Sequence, residues 1–520
     1  MQINIAEYWL EHISDEQFRN KVAVVDGERQ TTFGSLFDRA GFLGERLIDA
    51  FDVRRMPIAV YMPKSAEQIA VDIAIIYSGN AYMNIDVKQP VGRTEAILNH
   101  IRPAGVLTTK QFARTFEGMS IEGMPIIYVD ELETVDYNPA RIIERVRSMS
   151  DVDPLCIINT SGSTGVPKGV VLNHRSTIDF IDQATKVLPL EGCGVIGSLS
   201  PVHFDIFTLE IYLTLWKGWR FVIVPEHLAA FPERLVECLE RNEVDFIFWV
   251  PTVMVNIANL DILSTHALPT LRTIFFAGEV FPQKHLTYWF EHLPQAVFVN
   301  MYGPIEITVD CLYHVVTARD IEERALPIGK TFPNTTIHIL NDEDRECAID
   351  EQGELCVGGT SLAMGYYNDP DKTAAAFVQN PLNKSYIDLI YRTGDIVYRR
   401  GDGNVMFVGR KDFQVKHLGY RIELGEIESV AVSLPFIENA CVLYDKERKQ
   451  IILVYESTEE IDIADIRSGM GKILPKYMLP TRFERLESMP RNANGKIDRQ
   501  LLKMKIIWGG GVKAITSSSD

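Results

Sequence analysis

The sequence predicts an α/β protein with more than one domain, and three observations carry this. The chain has 520 residues, more than a single hydrophobic core usually organises. Short β-branched and aromatic runs alternate with amphipathic stretches along most of its length, the pattern of sheets flanked by helices. Between 353 and 408 the pattern changes to short strands punctuated by glycine, and from Asp412 helix and strand patterns resume on a smaller scale to Leu502.

Taken in order, Pro57–Tyr61, Leu155–Asn159, Phe246–Val250 and Thr273–Phe276 read as strands, and Ala66–Ser78 and Glu233–Asn242 as helices. Gly353–Val357, Ile396–Arg399 and Asn404–Val408 read as shorter strands, with Gly401-Asp402-Gly403-Asn404 as a hairpin turn. The last stretch, Trp508 to Asp520, ends in Gly and Ser runs and reads as a loose tail.

Composition excludes several classes. With 46% hydrophobic and 23% charged residues the chain is globular rather than disordered. A net charge of −18 without a long Lys/Arg run disfavours nucleic-acid binding, which needs clustered cations. The seven cysteines are scattered and form no C-x-x-C pair, against both a disulfide framework and a zinc site. The N-terminal stretch carries acids and lacks a long apolar centre, and no apolar run is long enough to span a bilayer, so a cytoplasmic protein is expected.

Chemistry begins at Thr160-Ser161-Gly162-Ser163-Thr164-Gly165-Val166-Pro167-Lys168-Gly169, directly after the apolar run Leu155–Ile158. Glycines let a backbone wrap an anion with its N–H groups inward. The hydroxyls add donors, and Lys168 adds a compact positive charge. The spacing is not that of the G-x-x-x-x-G-K-[ST] loop.

This string resembles the phosphate loop of the adenylate-forming superfamily, which includes acyl-CoA synthetases, luciferases and the adenylation domains of nonribosomal peptide synthetases. The resemblance runs from Thr31 to Leu502 with motifs in family order. It implies a large N-terminal domain of mixed and parallel sheets with a distorted β-barrel subdomain (1–411), a small mobile α+β domain (412–505) and a flexible tail (506–520).

The same resemblance distributes roles. ATP or AMP would be held by Thr160, Ser161, Gly162, Ser163, Thr164, Gly165 and Lys168, by Gly278 and Glu279, by Asn300, Met301, Tyr302, Gly303 and Ile305, and by Asp395, Phe407, Arg410 and Lys496. Tyr302 offers a ring for stacking on adenine, and Glu306 a hard oxygen ligand for Mg²⁺. Ile305 stands where the family usually has Thr, which removes one phosphate contact. Asp395, in Tyr391-Arg392-Thr393-Gly394-Asp395, can accept two hydrogen bonds from ribose hydroxyls. Asp412 matches the interdomain hinge. Lys496, in Asn494-Gly495-Lys496-Ile497-Asp498-Arg499, matches the lysine that bridges substrate carboxylate and α-phosphate.

These parts suit an attack of a carboxylate on the α-phosphorus of ATP. Both reactants are anionic, so the barrier is largely repulsion and positioning. Glu306 with Mg²⁺, Lys168 and Lys496 would screen the charge. No general base is required, because a carboxylate is already ionised near neutral pH. Rotation at Asp412 would then withdraw Lys496 and present a pantetheine thiol, with His417-Leu418-Gly419-Tyr420-Arg421 lining its tunnel.

Phe204-Asp205-Ile206-Phe207 bears on the acid. In amino-acid-activating members an aspartate here pairs with the substrate ammonium, and a buried carboxylate needs such a partner. By motif the pocket falls on Asp205, Ile206, Leu209, Phe248, Phe275, Ala277, Met301, Val309 and Asp310. Two phenylalanines and Met301 would leave room only for a small side chain, such as alanine, glycine or serine. Proline, a β-amino acid and an acid–CoA ligase reaction stay open as alternatives. Asp205-Ile206 and the 419–423 region also resemble D-alanine–carrier-protein ligases. Only 24 residues follow Lys496, with no carrier domain. The expected partner is therefore a separate phosphopantetheinylated carrier protein, with room for a small accessory activator.

Overall fold

In the computed structural model, residues 2–121, 123–161, 167–323, 326–411, 414–457, 459–491 and 497–507 are described. The chain divides into two compact units. One comprises 1–87, 98–160 and 168–412, the other 88–97, 161–167 and 413–520.

The larger unit is built on two big sheets. The nine-stranded sheet runs Lys330–Thr331, Leu312–Val315, Val297–Tyr302, Thr273–Phe276, Phe246–Trp249, Val195–Ser198, Arg220–Ile223, Val22–Asp26 and Arg29–Thr32. Its centre is parallel and its edges are antiparallel. Side chains alternate across it, as the pleat requires. Phe246, Phe248, Phe275, Ala277, Val299 and Met301 enter one core. Ile247, Trp249, Ile274, Phe276 and Phe298 enter another, covered by the helices Pro232–Arg241, Pro251–Asn259 and Gln283–His292.

The six-stranded sheet runs Ile126–Tyr128, Val106–Thr108, Pro57–Tyr61, Ala81–Asn84, Pro154–Thr160 and Lys168–Asn173. The last two strands form an antiparallel hairpin, with Thr160 opposite Lys168 at the end joined through 161–167. The helix Asp205–Lys217 lies in the core that both sheets share, and residues 206–215 are all buried. Ten consecutive residues without a polar face belong in an interior rather than on a surface. Gly218, at φ +68°, stops the helix with a left-handed residue.

A third sheet joins Thr335–Leu340, Gly353–Gly359, Leu389–Arg399, Phe377–Gln379 and Val405–Arg410, all antiparallel. The expected barrel is thus an open, curled half-barrel. Its 400–404 turn closes as expected: Gly403 N–H donates to Arg400 O at 2.8 Å, and Gly403 takes φ +85°.

The smaller unit holds a hairpin, Gln414–His417 with Tyr420–Glu423, and the three-stranded sheet Asn439–Asp445, Gln450–Glu456 and Arg482–Leu486. The helices Leu424–Val432, Ile463–Gly471 and Arg499–Ile506 pack on this sheet's two cores. Leu418 and Gly419, expected along a thiol tunnel, form the two-residue hairpin turn with φ +53° and +82°. Ile506 and Ile507, expected in the tail, pack against a core, and 508–520 lie outside the described residues. Among the described residues no helix is long and apolar enough to cross a membrane.

Candidate active site

Strands of the larger unit carry several residues expected to hold the nucleotide. The strand Val297–Tyr302 ends in Tyr302, whose hydroxyl donates to Asp395 Oδ2. On the other oxygen, Arg410 Nη1 donates to Asp395 Oδ1 at 2.6 Å, while Arg410 Nη2 reaches Thr393 O at 3.0 Å. Asp395 and Tyr302 are both buried. Burial and the adjacent Asp395 push the Tyr302 phenol well above its ordinary range, so it stays a donor. Phe407 lies on the strand paired with that of Asp395, partly buried against the shared core.

After Tyr302 the chain folds back tightly on itself. A Cβ on Gly303 would sit 2.4 Å from Asp310 Cα and from Val309 O, both backbone atoms. Thr308 and Val309 take φ +57° and +63°, unfavourable for β-branched residues. Thr308 Oγ1 donates to Ser361 O at 2.8 Å, and Ala363 N–H to Glu306 O at 2.9 Å, which hold the strained segment.

That segment places Glu306, which is fully buried. Tyr366 Oη donates to Glu306 Oε1 at 2.9 Å, and Lys168 Nζ lies 5.1 Å from the centre of the Tyr366 ring. The strand Lys168–Asn173 supports this group directly, because Tyr367 N–H bonds Gly169 O at 2.8 Å and Val171 N–H bonds Gly365 O at 3.0 Å. Cation, phenol and carboxylate therefore converge from three separate segments. Tyr366 was not among the expected site residues. A Tyr in Gly365-Tyr366-Tyr367-Asn368 reads as part of a turn, and only its position over Lys168 singles it out.

Glu306 can be tested as a metal ligand. Among the described residues no three His, Cys, Asp or Glu side chains cluster as a metal cage. One buried carboxylate beside a bound triphosphate is the donor set Mg²⁺ usually takes, with phosphate oxygens and water completing it. The residues present fit an ion shared with the nucleotide.

Other residues expected at the nucleotide bond within the larger unit. Glu279 Oε2 accepts from Thr252 N at 3.1 Å and from Thr252 Oγ1, at the start of the helix Pro251–Asn259. Asn300 Nδ2 donates to Pro327 O at 2.7 Å. Gly278 takes φ +91°, so glycine there serves the backbone turn after the strand. Ile305, Met301, Thr160 and Ser161 are described, Ile305 and Met301 being buried in the shared core. Gly162, Ser163, Thr164, Gly165, Asp412 and Lys496 lie outside the described residues.

The expected pocket residues come together. Ile206, Leu209, Phe248, Phe275, Ala277, Met301 and Val309 all enter the same core, and Asp310 is buried beside it. Phe248 and Phe275 are register partners and meet edge to face, 5.8 Å between ring centres. Asp205 is the first residue of its helix and is partly buried, and its Oδ1 accepts from Ile206 N at 3.0 Å. Phe204, not Asp205, occupies the N-cap position.

Comparison with known proteins fits this geometry. Residues 11–367 match the model of the AMP-binding enzyme family, and 426–496 that of the AMP-binding enzyme C-terminal domain. The chain belongs to the AMP-binding enzyme family. It is an AMP-forming ligase of the adenylation type. Zwittermicin A synthase ZmaJ of Bacillus cereus is 29% identical over 93% of this chain and 92% of its own length. L-proline--[L-prolyl-carrier protein] ligase of Pseudomonas fluorescens is 31% identical over 86% of this chain and 89% of its own. Tyrocidine synthase 1 of Brevibacillus parabrevis is 31% identical over 94% of this chain, which spans only 44% of that protein. Among solved structures, holo-PA1221, an NRPS protein containing adenylation and PCP domains, aligns with a TM-score of 0.81 at 26% identity, over 97% of this chain and 84% of its own.

Proposed function

We propose that this enzyme joins the carboxylate of a small amino acid to AMP, releasing pyrophosphate, and then passes the aminoacyl group to the phosphopantetheine thiol of a carrier protein. The observation that carries this reading is the setting of Asp205. It stands partly buried as the first residue of a largely buried helix, next to Ile206, which enters the same core as Phe248, Phe275 and Met301. An ammonium is a favourable partner for a carboxylate in such a setting, and an aliphatic acid would not supply that pairing. The packed Phe248–Phe275 pair supports a short side chain. The proline–carrier ligase and the adenylation–PCP protein among its relatives support carrier transfer.

The residues divide the work simply. Asp395, held by Tyr302 and Arg410, accepts the ribose hydroxyls. Lys168, beside Tyr366, meets the outer phosphates, and the hydroxyls and amides of 160–165 cradle them. Glu306, oriented by Tyr366, would hold Mg²⁺, which would screen the phosphate charge when bound. Asp205 orients the amino acid so that its carboxylate faces the α-phosphorus. Lys496 bridges the two reacting anions, and a rotation at Asp412 removes it before the thiol arrives.

The test is amino-acid-dependent ATP–pyrophosphate exchange across glycine, alanine, serine, proline and β-alanine, followed by thioester formation on a carrier protein or on CoA. Exchange with a small amino acid and loading of the carrier are expected. Loading of CoA alone would replace the carrier with an acid–CoA ligase reaction.

A further inference from the structure

The helix that begins at Asp205 poses a positioning problem. Its buried face is apolar all round from 206 to 215 apart from a few polar side chains. Apolar contacts are not directional, so they do not by themselves fix a helix along its axis. Yet a displacement of about 1 Å at a substrate-positioning group can cost about 100-fold in rate. Something specific must hold Asp205 and Ile206 at the right height against Phe248.

The structure contains such a device. Lys64, in the loop before the helix Ala66–Tyr77, aims its ammonium at the end of the strand Val195–Ser198. Its Nζ donates to Ser198 O at 3.0 Å, to Ser198 Oγ at 3.2 Å and to Ser200 O at 2.7 Å. Ser198 Oγ in turn donates to Glu210 Oε2 at 2.6 Å. Glu210 is fully buried, one residue beyond the pocket residue Leu209 and five beyond Asp205. Ser200 Oγ approaches Phe248 O at 3.5 Å, which ties the same turn to the opposite pocket wall. The second sheet also holds the 199–204 turn, where Asn84 Nδ2 donates to Val202 O at 3.3 Å, and the helix itself, where the Tyr82 and Tyr212 hydroxyls meet at 2.9 Å.

We infer that Lys64, Ser198 and Glu210 are positioning residues for the amino-acid pocket, setting the height of Asp205 and Ile206 against Phe248 and thereby the size of side chain admitted. This rests on the reading of Asp205 as the ammonium partner. None of the three need touch the substrate. A buried carboxyl linked to an ammonium through a hydroxyl adds little stability over apolar groups of similar volume, so its value here is geometric. An apolar substitute would fill the space and let the helix settle elsewhere.

The experiment compares Lys64→Met, Glu210→Gln, the double variant Lys64→Met/Glu210→Leu, and Lys64→Arg, with Asp205→Asn as reference. Each is assayed by pyrophosphate exchange with the small amino acid that wild type exchanges fastest and with its homologue one methylene longer. Thermal melting is measured in parallel. Lys64→Met and Glu210→Gln should raise the amino-acid KM about tenfold or more, keep the ATP KM within about twofold, and narrow the preference for the shorter amino acid. Lys64→Arg should recover part of both. The double variant should regain the melting temperature lost by the single variants and still show the raised amino-acid KM. Recovery of KM together with melting temperature would overturn the inference and leave the pair purely structural. So would equal changes in both KM values. If Asp205→Asn itself leaves the amino-acid KM unchanged, the pocket reading fails; if it raises KM while Lys64→Met does not, only this inference fails.

Discussion

Tyr302→Phe removes one oxygen and keeps the ring. Wild type holds Asp395 with two donors, the Tyr302 hydroxyl on Oδ2 and Arg410 Nη1 on Oδ1 at 2.6 Å. A hydrogen bond to a charged group contributes about 1.5–3 kcal/mol net. Arg410 remains in the variant, so the carboxylate stays anchored on one side, which puts the expected loss near the lower end. About 1.5 kcal/mol corresponds to roughly tenfold. Arg410→Gln should cost more, because it leaves a buried carboxylate without its cation, a change of about 3–5 kcal/mol. Initial-rate pyrophosphate exchange with ATP varied at saturating amino acid reads the effect. Tyr302→Phe should raise the ATP KM about tenfold and keep the amino-acid KM within about twofold, and Arg410→Gln should exceed it. An unchanged ATP KM in Tyr302→Phe, or a larger effect there than in Arg410→Gln, would refute the assignment of Asp395 to the nucleotide.

Three further outcomes follow from single sites. Gly303→Ala drives a Cβ to 2.4 Å from backbone atoms of Val309 and Asp310; exchange should fall by about two orders of magnitude or more, since backbone cannot yield as a side chain can, and retained activity would contradict the packing. Asp72 is buried on the helix Ala66–Tyr77, accepting from Gln68 at 2.6 Å and Asn84 at 2.9 Å, and burial raises its carboxyl to about 8. A folded pKa above the unfolded one stabilises fully below the unfolded value near 4 and is lost as pH rises through 8, so Asp72→Asn should melt higher than wild type at pH 8.5 and show a flatter stability profile between pH 4 and 8; equal melting at all pH values would contradict it. Lys496→Ala should abolish adenylation while thioester formation from supplied aminoacyl-adenylate continues, and equal loss of both half-reactions would contradict the rotation at Asp412.

Much of this was legible in the residues, and the exceptions share a cause. Local signals placed individual elements closely: Thr273–Phe276 is a strand over those residues, and Ala66–Ser78 is a helix that ends at Tyr77 with Ser78 as its cap. Phe248, Phe275 and Met301, on separate strands, enter one core, because a strand's period of two puts them on the same face of the sheet. Sheet order was not legible, since Val22–Asp26 pairs in parallel with Arg220–Ile223 across nearly two hundred residues. Tyr366 and Lys64 were missed for a similar reason. Each lies in a short loop with no pattern around it, and its role appears only in its partners: Glu306 and Lys168 for Tyr366, Ser198 and Ser200 for Lys64. The left-handed Thr308 and Val309 run against their own preferences. Tertiary packing around Gly303 imposes them, and no local propensity announces it.

The central claim is that Asp205 recognises an ammonium. Alanine and propionate share a carbon skeleton and a carboxylate and differ only in that group. A charge pair about 4 Å apart near a protein surface is worth about 4 kcal/mol before desolvation, and a net 2–3 kcal/mol after it means roughly 30- to 150-fold. The most direct measurement is kcat/KM for pyrophosphate exchange with alanine and with propionate, in wild type and in Asp205→Asn. Alanine should lead by about 100-fold in wild type, and the lead should collapse in Asp205→Asn. Equal exchange with both acids in wild type, or a lead that survives Asp205→Asn, would contradict the account.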